Sequence, residues 1–139
     1  MAGQLARFGV SLERALLGEL DALMKGKGYT NRSEYIRDLV RDDLVRKRCK
    51  AGGEVAGAIM LLYDHHRREL VNVLTDIQHE YHGLIVSGQH IHLDHHNCLE
   101  IIAVKGHPVR IEELADRMRA AKGVKHGSLT ITSTGKGIA

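Results

Sequence analysis

Two histidines and one cysteine in the middle of the chain have the types and the spacing of metal ligands. His90 and His92 are separated by one residue, and Cys98 follows six residues later. Alternate side chains of a β-strand point to the same face, so the two imidazoles are expected about 7 Å apart on one face. For Cys98 to share that face, the loop between the two strands must have an odd number of residues, as Leu93–Asn97 has, or contain a bulge. Imidazole nitrogen and thiolate sulfur together suit a transition metal ion.

Histidine is concentrated around these residues. Six of the ten histidines lie between His79 and Cys98, and His79 itself stands eleven residues before His90. In the alternative interpretation these are polar histidines on a solvated strand. The seven histidines other than His79, His90 and His92 either bind additional metal weakly or are surface residues: His65, His66, His82, His95, His96, His107 and His126.

The bulk composition indicates a globular protein that is expected to be cytoplasmic. The chain has 139 residues, of which 43% are hydrophobic, an ordinary value for a globular protein. No apolar run approaches the ~18 residues of a membrane helix, and the N-terminal sequence MAGQLARFG has no signal-peptide core. A reducing compartment disfavours a disulfide between Cys49 and Cys98, which lie in unlike surroundings.

Charge is distributed unevenly along the chain. Residues 1–50 carry eleven Lys/Arg and seven Asp/Glu, a net charge of +4, whereas residues 51–139 carry nine and ten, a net charge of −1. All ten histidines fall in the second segment. This asymmetry predicts a basic module for a polyanion and a separate module for a metal.

The first module, residues 1–50, begins with a predicted strand, Leu5–Ser11. Its alternation places Arg7, Gly9 and Ser11 on one face. One strand and two helices cannot bury enough apolar surface to fold alone. Two chains would solve this by pairing their strands into an antiparallel ribbon above four helices. Such a ribbon fits the DNA major groove; the alternative is a dimerisation element whose positive face is merely solvated.

Two helices are predicted after the strand. The first begins with Ser11 as its N-cap and ends in the basic and glycine residues Lys25–Gly28. The second begins at the capping-box-like sequence Asn31–Glu34 and continues to about Lys50. Residues 51–53, Ala-Gly-Gly, are a predicted hinge.

The second module, residues 54–134, has the predicted order βαββαβ, which indicates a ferredoxin-like fold with both helices on one side of four antiparallel strands. The fold class of the chain is therefore α+β. The predicted elements are strand Val55–Tyr63, helix Arg67–Glu80, strands Leu84–Leu93 and Cys98–Val104, helix Arg110–Lys122, and strand Ser128–Thr134. Residues 135–139 are expected to be a frayed tail.

This combination of modules resembles the NikR family of nickel-responsive transcriptional repressors. The resemblance covers about Arg7 to Thr132, and its specific parts are RFGVSL (7–12), GYTNRSEYIRDL (28–39), QH (78–79), HIHLDHHNCLE (90–100) and KGVKHG (122–127). It implies an ACT-like second module, a homotetramer built as a dimer of dimers, and one Ni(II) per subunit. The implied nickel ligands are His90, His92 and Cys98 of one subunit and His79 of a neighbour.

The resemblance also implies how DNA and a second cation are bound. Arg7, Gly9 and Ser11 match the positions that read double-stranded operator DNA, a pseudo-palindrome. Some relatives have threonine at the last two positions, whereas Gly9 has no side chain that can form a hydrogen bond. Glu34 and Asp38 match a family site for a cation between the modules; alternatively, they are solvated carboxylates beside arginines.

These observations predict a regulator and not an enzyme: Ni(II) bound by the second module promotes operator binding by the first, and nickel-uptake genes are repressed. One alternative is a ribbon-helix-helix regulator that senses another metal, such as Zn(II) or Cu(II), or a small ligand at the ACT-like module. A zinc hydrolase is the other alternative. It would need a general base at motif spacing, such as the glutamate of HExxH, and the sequence contains none.

Overall fold

A computed structural model describes residues 3–138 of the chain. Within these residues the element order is α1 (Arg14–Gly26), α2 (Arg32–Ala51), β1 (Val55–Tyr63), α3 (Arg68–Glu80), β2 (Ile85–His92), β3 (Cys98–Gly106), α4 (Pro108–Ala120) and β4 (Val124–Ser133). None of the described helices combines the length and the apolar character needed to cross a bilayer.

The chain divides into two compact units, one built mainly from residues up to Leu44 and one from Val45–Lys136. The division falls within α2, because the end of that helix belongs to the second unit, where Cys49 packs against the core. α2 also extends through Ala51, the first residue of the predicted hinge. The functional domain limits, 1–50 and 54–134, stay predictions.

The N-terminal segment before α1 is exposed. Residues 3–13 form no regular secondary structure within the described chain. A strand is recognised by its hydrogen bonds to a neighbour, and the predicted neighbour of Leu5–Ser11 is the same segment of a second chain. The ribbon therefore stays a prediction. Two apolar side chains of the segment, Leu5 and Phe8, are 89% and 76% exposed.

In the first unit, one predicted helix start is wrong and the other is confirmed. α1 begins at Arg14 with Glu13 as its N-cap, and not with Ser11, because the backbone is still extended at Glu13 (φ −61°, ψ 147°). The predicted second start is confirmed. Asn31 Oδ1 accepts a hydrogen bond of 2.9 Å from the backbone N–H of Glu34, which satisfies a free donor of the first turn.

The second unit is a four-stranded antiparallel sheet in the order β2-β3-β1-β4, which confirms the predicted ferredoxin-like topology. Apolar side chains of α3 and α4 pack in one core with β1 and β3, so both helices cover the same face. The helical contributions to this core are Leu70, Leu74, Ile77, Ile111, Leu114, Ala115 and Met118.

Two element starts in this unit differ from the prediction by more than one residue. α4 begins at Pro108 and not at Arg110, because proline suits the first helical position and the ring of His107 accepts a hydrogen bond from the backbone N–H of Val109. β4 begins at Val124, four residues before the predicted start, because it pairs with β1 along its whole length.

Candidate metal centre and DNA-binding segment

The hairpin of β2 and β3 brings predicted ligands to one face. Cys98 lies directly opposite His92, and Glu100 lies opposite His90. The five loop residues Leu93–Asn97 between the strands meet the condition of an odd-numbered loop. Because residues two apart on a strand share a face, the four paired side chains lie on the same side of the hairpin.

Side-chain hydrogen bonds hold this loop in shape. Asp94 Oδ1 accepts hydrogen bonds of 2.8 Å from the backbone N–H groups of His96 and Asn97. The Asn97 side chain donates back to Asp94, and Lys125 at the start of β4 donates to Asn97 Oδ1. The side-chain bond from Asn97 is the main reason that the pKa of Asp94 is lowered. Such local bonds stabilise a turn, and here they maintain the register of the hairpin.

Cys98 is fully buried, and its Sγ atom lies 4.0 Å from Nδ1 of His90. Burial raises the pKa of the Cys98 thiol, because a thiolate in this position loses its water; the nearby carboxylate of Glu100 raises it further. The protein therefore favours the neutral thiol at neutral pH. A metal ion must displace a proton to obtain the thiolate.

A buried polar network lies behind His90. Tyr63 donates a hydrogen bond of 2.5 Å to one oxygen of Glu100, and Gln78 of α3 donates one of 2.8 Å to the other. The Tyr63 hydroxyl is also 3.4 Å from His90 Nδ1. Burial, and then the bond with Glu100, raise the pKa of Tyr63, so the hydroxyl keeps its proton. Partners of this kind orient a ligating imidazole.

Sequence reasoning missed this network, although one signal was present. Every second residue of β3 faces inward, and Glu100 is the only charged residue in this row. The other buried members of the row are Cys98, Ile102 and Val104. A buried carboxylate in an otherwise apolar row needs hydrogen-bond donors from other elements. The sequence does not say which donors these are.

The structure does not bring all four predicted nickel ligands together in one chain. His79 is exposed on the last turn of α3. The ring of His92 packs against that of His65, with 4.4 Å between the centroids. Within residues 3–138, no group of three or more metal-binding atoms within 4.8 Å of one another includes a predicted ligand. The ligand set stays a prediction, with His79 assigned to a neighbouring subunit by the family resemblance.

The three predicted DNA-reading residues lie in the exposed N-terminal segment. Arg7, Gly9 and Ser11 are all exposed. A Cβ atom added at Gly9 would meet no atom within 4 Å, so this glycine is not required by packing within the chain. Their contact with DNA stays a prediction.

Asp38, one of the two predicted cation ligands, is already hydrogen-bonded within the first unit. Tyr29 donates to one of its oxygens, and Arg41 donates to the other at 3.0 Å. The bond from Tyr29 is the main reason that the pKa of Asp38 is lowered. Glu34 is exposed on the first turn of α2. The cation site at Glu34 and Asp38 stays a prediction.

Two family models match the chain. The model of the NikR C terminal nickel binding domain matches residues 56–132, and that of the ribbon-helix-helix protein, copG family, matches residues 6–47. These ranges correspond to the sheet unit and to the helices that precede it.

Curated relatives match over nearly the whole chain. Proteins named putative nickel-responsive regulator are 54% identical in Syntrophus aciditrophicus (95% of this chain, 96% of the relative), 56% identical in Chlorobaculum parvum (93% and 96%) and 52% identical in Thermococcus kodakarensis (96% and 97%). A solved structure of an uncharacterized protein from Thermotoga maritima matches with a TM-score of 0.51 at 10% identity, over 56% of this chain and 96% of that one. This last similarity concerns the fold alone.

The donor chemistry of the hairpin fits a nickel ion. Imidazole and thiolate are suitable ligands for square-planar Ni(II), and the hairpin presents both on one face. The relatives are named regulators, and their names describe no enzyme. The chain therefore belongs to the NikR family of nickel-responsive transcription regulators, with a ribbon-helix-helix DNA-binding domain and a C-terminal nickel-binding domain.

Proposed function

We propose that this chain represses nickel-uptake genes when nickel is abundant. Ni(II) bound by residues 54–134 promotes binding of residues 1–50 to a pseudo-palindromic operator in cytoplasmic double-stranded DNA. The observation that carries the proposal is the register of the hairpin, in which Cys98 is paired with His92 and lies beside His90. Relatives named nickel-responsive regulators support the nickel response.

The proposed nickel centre takes one ion per subunit. His90, His92 and Cys98 of one subunit and His79 of a neighbour supply the four donors of a square-planar site. The exposure of His79 at the end of α3 leaves it accessible to another chain. The preceding residue, Gln78, is hydrogen-bonded to Glu100, so the end of α3 is attached to the hairpin that carries the other ligands.

The proposed assembly is a homotetramer, a dimer of dimers. Pairing of two N-terminal segments above the helices would remove from water the apolar side chains of Phe8 and Val10, which are exposed in the single chain and lie on the face opposite Arg7. It would also place Arg7 from both chains on one ribbon face that fits the major groove. A nickel ion shared between subunits then favours one arrangement of the DNA-binding domains, with a coupling of roughly 1–3 kcal/mol.

Nickel-dependent operator binding tests the proposal. DNA sequences selected from a random pool by the nickel-loaded protein are labelled, and the affinity of the parent protein is measured by fluorescence anisotropy with and without Ni(II). Nickel should raise the affinity about tenfold or more, within the range that such couplings span. Visible absorption should show the bands of a square-planar nickel–thiolate centre.

Cys98→Ala and Cys49→Ala form the matched pair for this experiment. Cys49 packs against the core and is distant in sequence from the imidazoles, so its variant should retain the nickel response. Cys98→Ala should bind DNA equally with and without nickel. Operator binding by the parent that is indifferent to nickel, or responds to Zn(II) alone, would contradict the proposal.

A further inference from the structure

The start of β4 contains a β-bulge opposite the end of β1. Leu62 of β1 pairs with His126. The next residue of β1, Tyr63, pairs with Val124, so the pairing passes over Lys125. An extra residue of this kind bends its strand and turns its side chain away from the regular direction, and such bulges are frequent beside functional sites. The side chain of Lys125 is therefore not bound to the alternation of β4.

Lys125 contacts the hairpin tip across the end of β1. The sheet order β2-β3-β1-β4 places β1 between β4 and β3. Lys125 Nζ nevertheless donates a hydrogen bond of 2.5 Å to Oδ1 of Asn97, the residue directly before β3. This bond links two elements that are not neighbours in the sheet, and it ends one residue before Cys98.

The side-chain amide of Asn97 is held between a cation and an anion. Its oxygen accepts a hydrogen bond from the ammonium group of Lys125. Its nitrogen donates to both carboxylate oxygens of Asp94, at 3.0 and 2.8 Å. Hydrogen bonds with an ionised partner are stronger than neutral ones. Because only one orientation of the amide satisfies both charged groups, these bonds fix the end of the loop.

The residue that follows Asn97 is the thiol ligand of the proposed nickel centre. Cys98 begins β3 and is fully buried, and it lies opposite both His92 of β2 and Tyr63 of β1. A displacement of Asn97 would move Cys98, since the two are joined by a peptide bond. Groups that orient metal ligands commonly contribute about 10- to 100-fold to metal affinity.

We propose that Lys125 is a positioning residue of the nickel centre: from the bulge in β4 it holds Asn97, and through Asn97 it holds Cys98 in place for the metal ion. This inference rests on the proposed function, because it concerns the same thiol ligand. Lys125 supplies no ligand atom itself, since an ammonium group has donors only. Its effect should therefore be visible in the metal-free protein as well as in the nickel complex.

Thiol labelling of the metal-free protein is the first test. The full-length Cys49→Ala protein is the reference, so that Cys98 alone reacts with iodoacetamide. Lys125→Met keeps the unbranched side chain without its charge, and should make Cys98 react about tenfold faster, because a buried thiol reacts only when the structure around it opens. Loss of a cation by itself would favour the neutral thiol and slow the reaction. The direction of the change therefore separates positioning from electrostatics.

Three further variants, made in the same reference, give this test its controls. Lys125→Arg keeps a cationic donor and should label like the reference. Lys122→Met removes the same charge from an exposed lysine of the α4–β4 turn and should also label like the reference. Asn97→Ala breaks the contact from its other end. Adding Lys125→Met to it should cause no further increase, because both changes remove the same linkage.

Nickel binding to the same proteins is the second test. Competition with a chelator should show that Lys125→Met weakens nickel binding about tenfold, whereas Lys125→Arg and Lys122→Met should bind like the reference. The nickel–thiolate absorption should be shifted or reduced in Lys125→Met alone among these three. Urea unfolding of the metal-free proteins checks that each of them is folded.

Four results would overturn the role of Lys125: labelling of Lys125→Met that is no faster than that of the reference, nickel affinity unchanged in that variant, the same effects in Lys122→Met, or additive effects of Lys125→Met and Asn97→Ala. A reference protein that binds no nickel would refute the proposed nickel centre, and this role with it. Tight nickel–thiolate binding by the reference, with unchanged labelling in Lys125→Met, would refute the role of Lys125 only.

Discussion

Cys98 lies directly across the β2–β3 ladder from His92, and this pairing brings a buried thiol to the face on which the histidines of β2 lie. The first prediction concerns that thiol. Cys98→Ala should abolish tight binding of about one nickel per chain, because thiolate donation is lost. Cys49→Ala should bind nickel like the parent, as measured by equilibrium dialysis. Equal losses in the two variants would refute the assignment.

Nickel binding should release a proton from Cys98. The raised pKa of this thiol keeps it neutral at neutral pH, and a metal-bound cysteine is a thiolate. Below the pKa of Cys98, nickel affinity should therefore increase about tenfold for each unit that the pH rises, as long as the histidines are neutral. Calorimetry in buffers of different ionisation enthalpy should give about one proton per nickel from this group. A release that persists unchanged in Cys98→Ala would exclude the thiol as its source.

Tyr63→Phe should reduce both stability and nickel affinity. The variant leaves the buried Glu100 carboxylate without one of its two hydrogen-bond donors, which should lower the free energy of unfolding by about 1–3 kcal/mol. Nickel affinity should fall about 10- to 100-fold, because the hydroxyl near His90 is lost. Urea unfolding and nickel competition measure the two effects. Tyr29→Phe, whose hydroxyl bonds Asp38 in the first unit, is the control and should leave nickel affinity unchanged.

Arg7→Ala should weaken operator binding without changing nickel stoichiometry. An arginine that bridges guanine O6 and N7 contributes roughly 1–3 kcal/mol, so the dissociation constant should rise by about one order of magnitude at constant salt. Arg110→Ala removes an arginine of the second unit that is ion-paired with Glu113, and should bind the operator like the parent. If Arg7→Ala also binds like the parent, this face of the segment does not read DNA.

His79→Ala should separate nickel binding from its effects on the assembly. Three ligands would remain on one chain, so nickel should still bind, although without linking subunits. In the parent, nickel at a hundredfold excess over its dissociation constant should stabilise the assembly by about 2.7 kcal/mol. Thermal unfolding should show this gain in the parent and in His82→Ala, an exposed neighbour, but not in His79→Ala. A gain of parental size in His79→Ala would remove the proposed interface role.

The sequence by itself determined the order of the elements in the second unit and the chemistry of its ligands. Val55–Tyr63, a nine-residue run of apolar residues with one glycine, was predicted as a strand, and the odd-numbered loop before Cys98 specified its partner across the hairpin. These features are local, because the apolar run of a strand and the length of a turn are written in consecutive residues. The start of the first helix was predicted wrongly from the sequence. Ser11 has a side chain that suits an N-cap, but the backbone stays extended until Glu13.

Only the tertiary structure decided which distant residues surround those ligands. Tyr63 and Gln78 are 37 and 22 residues from Glu100, and they meet it because β1 pairs with β3 and α3 packs on the same face. The ring of His65, just after β1, likewise lies against that of His92 at the end of β2, although the whole of α3 separates them in sequence. Such contacts follow from the pairing of whole elements, and the buried carboxylate of Glu100 can satisfy its hydrogen bonds only after that pairing has formed.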